Sequence, residues 1–124
     1  MSRFSILAAL AVLLSNTPAP AQHMDKNMFL EIATLGDAEQ KGLLTVYLRG
    51  VLNGLEASNM ESLRQGLPQI FCPPSETLPT SAWLTEILLQ YLERYSAIPS
   101  KLSIAVIAHH ALAEHFPCKK LINN

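Results

Sequence analysis

The chain has 124 residues, of which 49% are apolar, and it carries nine basic against ten acidic side chains, a formal net charge of −1. This length suits one small domain with one modest core. A chain so close to neutral has no electrostatic reason to bind a polyanion such as nucleic acid, so its partners should be proteins or small molecules.

Residues 1–21 have the organisation of a cleaved signal peptide. Arg3 precedes an apolar run that ends at Leu14, and this run is shorter than the roughly 20 residues of a membrane span. Small residues and prolines follow and end in Ala19-Pro20-Ala21, which is typical of a signal-peptide cleavage site. We therefore expect export, with no membrane contact by the mature domain over residues 22–124.

The first helix is predicted where apolar residues recur at steps of three and four, from Met24 to about Leu35. Gly36 should end it. Asp37 can then cap a second helix by accepting from a free backbone amide, with Gln40 completing a capping box.

The second helix should run to about Ala57 and bury one broad face. Its apolar rows are Leu44, Leu48 and Leu52, beside Leu43, Tyr47, Val51 and Leu55. Gly50 and Gly54 interrupt the pattern, and each costs about 1 kcal/mol of helix propensity relative to alanine. They are either tolerated or allow another helix to come close, and we favour the close approach.

Residues 58–79 are the least regular stretch, with Gly66 and several prolines, although a short helical turn could form within them. A third helix is expected from Thr80 or Ser81 until Pro99 stops it. Its apolar stripe consists of Trp83, Leu84, Ile87, Leu88, Tyr91 and Leu92, with Arg94 or Tyr95 at its end.

A fourth helix should be capped by Ser100 and ended by Pro117. It is apolar almost all round, at Leu102, Ile104, Ala105, Val106, Ile107, Ala108, Leu112 and Phe116. Only Ser103, His110 and Glu114 form a polar strip, so this helix should be the most buried. No segment alternates with a two-residue period. The sequence therefore predicts an all-α fold, a four-helix or possible five-helix bundle.

Cys72 and Cys118 are the two cysteines of the sequence. A small exported domain usually pairs its cysteines, and one pair leaves a single connectivity. The C-x-x-C spacing of redox enzymes is absent. We therefore expect a structural disulfide.

Chemically active residues cluster in one place, at His109, His110, Glu114 and His115. His110 and Glu114 share a helical face, but a zinc enzyme needs three protein ligands and an open position. No nucleophile motif or phosphate-binding loop accompanies them. The sequence predicts no catalytic residues, no metal and no cofactor, and it favours a binding protein.

Four short segments resemble the Rap/Tai immunity proteins of type VI secretion systems. They are Tyr47-Leu48-Arg49-Gly50-Val51, Phe71-Cys72-Pro73-Pro74, Tyr91-Leu92, and the run from Ala111 to Cys118, which ends in Phe116-Pro117-Cys118. The family pattern has a further cysteine pair, whose positions match Ala33 and Leu44 here. It also has an acidic residue where this chain has Asn53.

The resemblance implies a helical, periplasmic immunity protein that binds a secreted peptidoglycan amidase and occludes its active-site cleft. Some family members act as dimers, so a homodimer is also implied. The segment from Glu56 to Gln69 offers a contact surface, at Glu56, Asn59, Glu61, Arg64 and Gln65, if it is a loop ordered by the disulfide. The alternative is a solvated connector.

Two other functions are compatible with the sequence. A periplasmic acid-stress chaperone of the small helical, single-disulfide kind could use His109, His110 and His115 as a proton-sensitive helix end. A hydrolase using carboxylates is the third hypothesis, although no two acidic residues stand out.

Overall fold

The computed structural model describes residues 23–119, which form four α-helices and no β-strand within that range. The helices are α1 (Lys26–Leu35), α2 (Ala38–Arg64), α3 (Ser81–Arg94) and α4 (Ile104–His115). The all-α fold with one disulfide is thus confirmed. The predicted signal peptide lies outside the described residues, and no helix within them is long and apolar enough to cross a membrane.

The predicted boundary between α1 and α2 is confirmed in its details. Gly36 follows the last residue of α1, and the Asp37 carboxylate accepts a hydrogen bond from the Gln40 backbone amide at 2.9 Å. The Gln40 side chain returns a bond to the Asp37 amide at 3.0 Å, which completes the capping box. The cap satisfies backbone donors that the first turn leaves free.

The second helix extends well beyond the predicted end at Ala57 and reaches Arg64. It stops where Gly66 adopts a φ of 69°, a conformation that favours glycine. The amides of Gly66 and Leu67 then bond to the Leu63 and Ser62 carbonyls, which forms a Schellman motif. The first seven residues of the predicted irregular segment, 58–64, are therefore helical.

The start of the fourth helix is also corrected. Ser103, not Ser100, is its N-cap, and its hydroxyl accepts from the Ala105 amide at 3.2 Å. Ser100 lies in a preceding turn, and its carbonyl accepts from the Asn27 amide. Ser103 pairs with Asp25 in an isolated antiparallel bridge, which ties the start of α1 to the start of α4.

The core lies between the inner faces of all four helices and includes two residues outside them, Met24 before α1 and Phe71 in the loop after α2. Its largest fully buried side chains are Phe29, Leu48, Leu52, Phe71, Leu84, Leu88, Ile104, Ile107 and Leu112. Leu44 is buried as predicted, but Leu43 and Val106, expected in the core, are 64% and 44% exposed. Both side chains point away from the neighbouring helices. Helices α2 and α4 therefore bury fewer of their apolar residues than the sequence pattern predicts.

The expected close approach at Gly50 and Gly54 does not occur among residues 23–119. Both residues are exposed, and a Cβ added at either would meet nothing within 4 Å. The prediction is wrong for the contacts inside the domain, since these glycines face away from the other helices.

Candidate protein-interaction surface

A groove follows the line where α3 and α4 meet. Its volume is about 180 Å³, and its lining residues are Ile87, Gln90, Tyr91 and Arg94 from α3 with Ala111, Glu114 and His115 from α4. These positions recur at steps of three and four, so each helix contributes one edge of its surface. The groove therefore depends on how two helices pack and could not be located from either helix alone.

A polar network holds the groove at the C-terminal ends of the two helices. The Glu114 carboxylate accepts hydrogen bonds from Arg94 Nη1 at 3.1 Å and from the Tyr95 hydroxyl at 2.6 Å. The bond to Glu114 raises the pKa of the Tyr95 phenol, because ionising it would place two negative charges together. The network links residues on different helices and orients the Arg94 guanidinium beside the groove.

Aromatic side chains border the same surface. Trp83 is half-buried and stacks on Phe116, with ring centroids 5.3 Å apart, and His115 packs edge-on against Phe116 at 4.6 Å. A shallow hollow beside Trp83 continues the groove past Glu86. Trp, Tyr and Arg are the residue types that most often carry the energy of a protein interface. From the sequence alone, this stripe of α3 is predicted only as part of the core.

The predicted disulfide between Cys72 and Cys118 is confirmed, with the two Cα atoms 4.9 Å apart. The Cys72 amide also donates to the Phe116 carbonyl at 2.8 Å. The loop after α2 is thereby fixed to the end of α4, directly beside the aromatic border of the groove.

The contact residues predicted near the end of α2 do not lie on a loop. Glu56, Glu61 and Arg64 belong to α2 itself, and Gln65 is its C-cap. Arg64 and Gln65 both donate to the Glu61 carboxylate, and the bond from Arg64 is the main cause that lowers the pKa of Glu61. The argument from an ordered loop therefore does not apply to these residues.

Asn59, predicted as a contact residue, is buried and has a structural role instead. Its side chain is buried, with Nδ2 donating to the Phe71 carbonyl at 2.6 Å and Oδ1 accepting from the Ile70 amide at 2.7 Å. Both backbone groups lie in the loop that α2 packs against. Asn59 thus fastens that loop to the helix and is not available to a partner.

The predicted cluster of histidines is divided between two places. His109 and His110 contact each other edge-on near the middle of α4, whereas His115 packs on Phe116 at its end. Among residues 23–119, no group of three or more His, Cys, Asp or Glu side chains is placed to hold a metal ion.

Comparison with known proteins finds no matching family model, no matching curated protein and no matching solved structure.

Proposed function

We propose that this protein is a periplasmic immunity protein that binds a type VI secretion peptidoglycan amidase and occludes its active-site cleft. The proposal starts from the four segments that resemble the Rap/Tai family. These segments lie far apart in the sequence.

The observation that carries the proposal is that those segments are parts of one packed unit. Phe71 is fully buried, Cys72 is bonded to Cys118, and Cys72 also binds the backbone of Phe116. Leu48 and Leu92, from the other two segments, are buried in the same core. Segments that match a family pattern and also pack together in the fold support a shared architecture more strongly than the sequence match alone.

The groove between α3 and α4 is the surface that we assign to the amidase. An inhibitor needs a rigid, shaped surface, since ordering side chains on binding costs affinity. The groove is bordered by stacked rings at one end and by the Arg94–Glu114 pair at the other. Its Trp, Tyr and Arg residues provide the anchors that such an interface uses.

The experiment measures binding and inhibition of any secreted peptidoglycan amidase that proves to be encoded beside this protein, using purified peptidoglycan as substrate. Gln90→Arg places a bulky charge in the groove, and Gln90 is exposed. We expect it to weaken binding by about tenfold or more, as is usual for a central interface position. Asn27→Arg, on the exposed face of α1, is the matched control and should bind normally.

Arg64→Glu tests the surface that the sequence favoured. A loss with Arg64→Glu and none with Gln90→Arg would move the contact to the end of α2. If no such amidase is bound or inhibited, the immunity proposal fails. Protection of unfolded client proteins only after acidification would instead support the chaperone function.

A further inference from the structure

The hollow beside Trp83, which continues the groove between α3 and α4, is wide enough to admit a side chain from another molecule, and we call it the indole hollow. Its volume is about 420 Å³, many times the roughly 30 Å³ that one water molecule occupies in the liquid. It is lined by residues of α3 and by the last residue of α4, namely Ala82, Trp83, Glu86, Ile87, Gln90 and His115. Three of these also line the groove, so the two spaces are continuous.

The ring of Trp83 gives the indole hollow a flat aromatic wall. Phe116 stacks on one face of the indole, with ring planes 19° apart, and the rest of the half-buried ring lines the hollow. Phe116 is itself held, because its carbonyl accepts from the Cys72 amide and Cys72 is bonded to Cys118. An aromatic wall that is already held in place loses little conformational entropy when a ligand binds.

The charges around the indole hollow favour a cation. With histidine counted as neutral, Glu86 is the charged member of the six lining residues. It is exposed and takes part in none of the ion pairs among residues 23–119. The C-terminal end of α4 at His115 adds partial negative charge, and the first turn of α3 at Ala82 adds partial positive charge. These two helix ends nearly offset each other, so the full charge of Glu86 decides the sign.

The basic residue of the groove does not neutralise Glu86. Arg94 lies eight residues further along α3, which is about 12 Å along the helix axis. Its guanidinium donates to the Glu114 carboxylate at 3.1 Å. Exposed charges at such a separation are largely screened, since the Debye length is about 8 Å at physiological ionic strength. The carboxylate of Glu86 is therefore available to a cation that enters the hollow.

Arginine suits this hollow better than lysine does. A planar guanidinium can stack on an indole and at the same time donate hydrogen bonds in its own plane to a carboxylate. Glu86 and Gln90 are four residues apart and share one face of α3, so the Gln90 amide oxygen can accept a further guanidinium N–H. A lysine ammonium is compact and strongly hydrated, and it has no flat surface to place on the ring.

We propose that the indole hollow binds an arginine side chain of a partner protein, with the guanidinium against Trp83 and hydrogen-bonded to Glu86. Arginine and tryptophan are among the residues that most often carry the energy of an interface, so one such contact serves as an anchor. The identity of the partner as an amidase rests on the proposed function. The affinity of the hollow for an arginine side chain does not.

The test titrates the protein with N-acetylarginine amide and, as the matched ligand, with N-acetylcitrulline amide, which has the shape of arginine without its charge. Trp83 is the one tryptophan of the sequence, so its fluorescence and its indole Nε1–H NMR signal report on this hollow. We expect a saturable change with the arginine amide at millimolar concentration. The citrulline amide should bind about tenfold more weakly or worse, because it loses both the attraction to the ring and the ion pair.

Two glutamine variants of α3 test the role of Glu86. Glu86→Gln keeps the size of the side chain and should weaken binding of the arginine amide by about fivefold, the upper range for an exposed ion pair. Glu93→Gln is the matched control, because it makes the same change beside Arg94 and outside the indole hollow. It should alter binding by less than about twofold, since a distant exposed charge is screened. Both residues are exposed, so circular dichroism melts should match that of the parent protein.

Several results would overturn the proposal. They are a Trp83 signal that does not saturate with the arginine amide, equal affinity for the citrulline amide, and equal losses in the Glu86→Gln and Glu93→Gln variants. With an amidase that the protein inhibits, Glu86→Gln should weaken binding and Glu93→Gln should not. Equal binding of that amidase by the parent and by Glu86→Gln would refute the anchoring of an amidase arginine. If the arginine amide binds and no amidase does, the immunity function fails and the arginine site stands.

Discussion

Replacing Asn59 by alanine should be the most damaging polar substitution in this domain. The Asn59 amide forms two bonds shorter than 2.8 Å with the backbone of Ile70 and Phe71. Alanine would leave the Phe71 carbonyl and the Ile70 amide without partners in a site that is mostly closed to water. An unpaired buried polar group costs about 1–3 kcal/mol, and because Ile70 is only half-buried we expect roughly 2–4 kcal/mol for the two groups together.

The measurement is urea denaturation followed by circular dichroism, with Asn27→Ala as the control. Asn27 is exposed, and its side chain forms no hydrogen bond within the described range 23–119, so its substitution should change the free energy of unfolding by less than about 0.5 kcal/mol. The predicted loss for Asn59 is a large part of a total of about 5–15 kcal/mol. If the two variants have the same stability, Asn59 does not fasten the loop as described.

Asn59→Asp separates the hydrogen bond from the size of the side chain. The carboxylate would keep the acceptor that Ile70 needs but would place a second oxygen against the Phe71 carbonyl. Burial and this repulsion would raise the pKa of the new carboxyl above its unfolded value. The variant should therefore be destabilised at neutral pH and should regain stability, relative to the parent protein, as the pH falls and the group can donate.

Three further predictions concern the core, the disulfide and the start of α1. Ile107→Asp should unfold the domain in a thermal melt, whereas Val106→Asp should be mild, since Ile107 is 1% exposed and Val106 is 44% exposed; equally mild melts would contradict the assigned face of α4. Replacing Cys72 and Cys118 by serine should cost about 4 kcal/mol in denaturation, from the chain entropy of a 46-residue separation, and an unchanged midpoint would contradict this. A backbone bond from Met28 and then the ammonium of Lys101 lower the pKa of Asp25, so its stabilisation is present above its unfolded pKa and is lost below about pH 4. Asp25→Asn, which can still cap the helix, should flatten that acid loss, and identical pH curves would count against it.

Most of the secondary structure could be predicted from the sequence, because it depends on interactions between residues that are close along the chain. Asp37 and Gln40 formed the capping box that their spacing predicted, and Thr80 caps α3 by accepting from the Trp83 amide. The pairing of Cys72 with Cys118 followed from their number. These features depend on residues close in sequence or on the absence of alternatives, so a pattern is enough to find them.

Tertiary structure decided the features that depend on distant partners. The sequence predicts the end of α2 too early, at Ala57, because the last turns of the helix are held by a distant contact. The Asn59 side chain bonds to the backbone of Ile70, eleven residues later, and such a contact produces no periodic pattern in the sequence. Ser103 replaced Ser100 as the cap of α4 because the backbone near Asp25 pairs with it. The groove needed two helices to meet, and Val106 was misassigned because an almost wholly apolar helix has no sequence contrast to mark its buried side. Packing also decides which apolar residues of α2 stay exposed, such as Leu43 and Val46, because the sequence does not show which side of the helix the others cover.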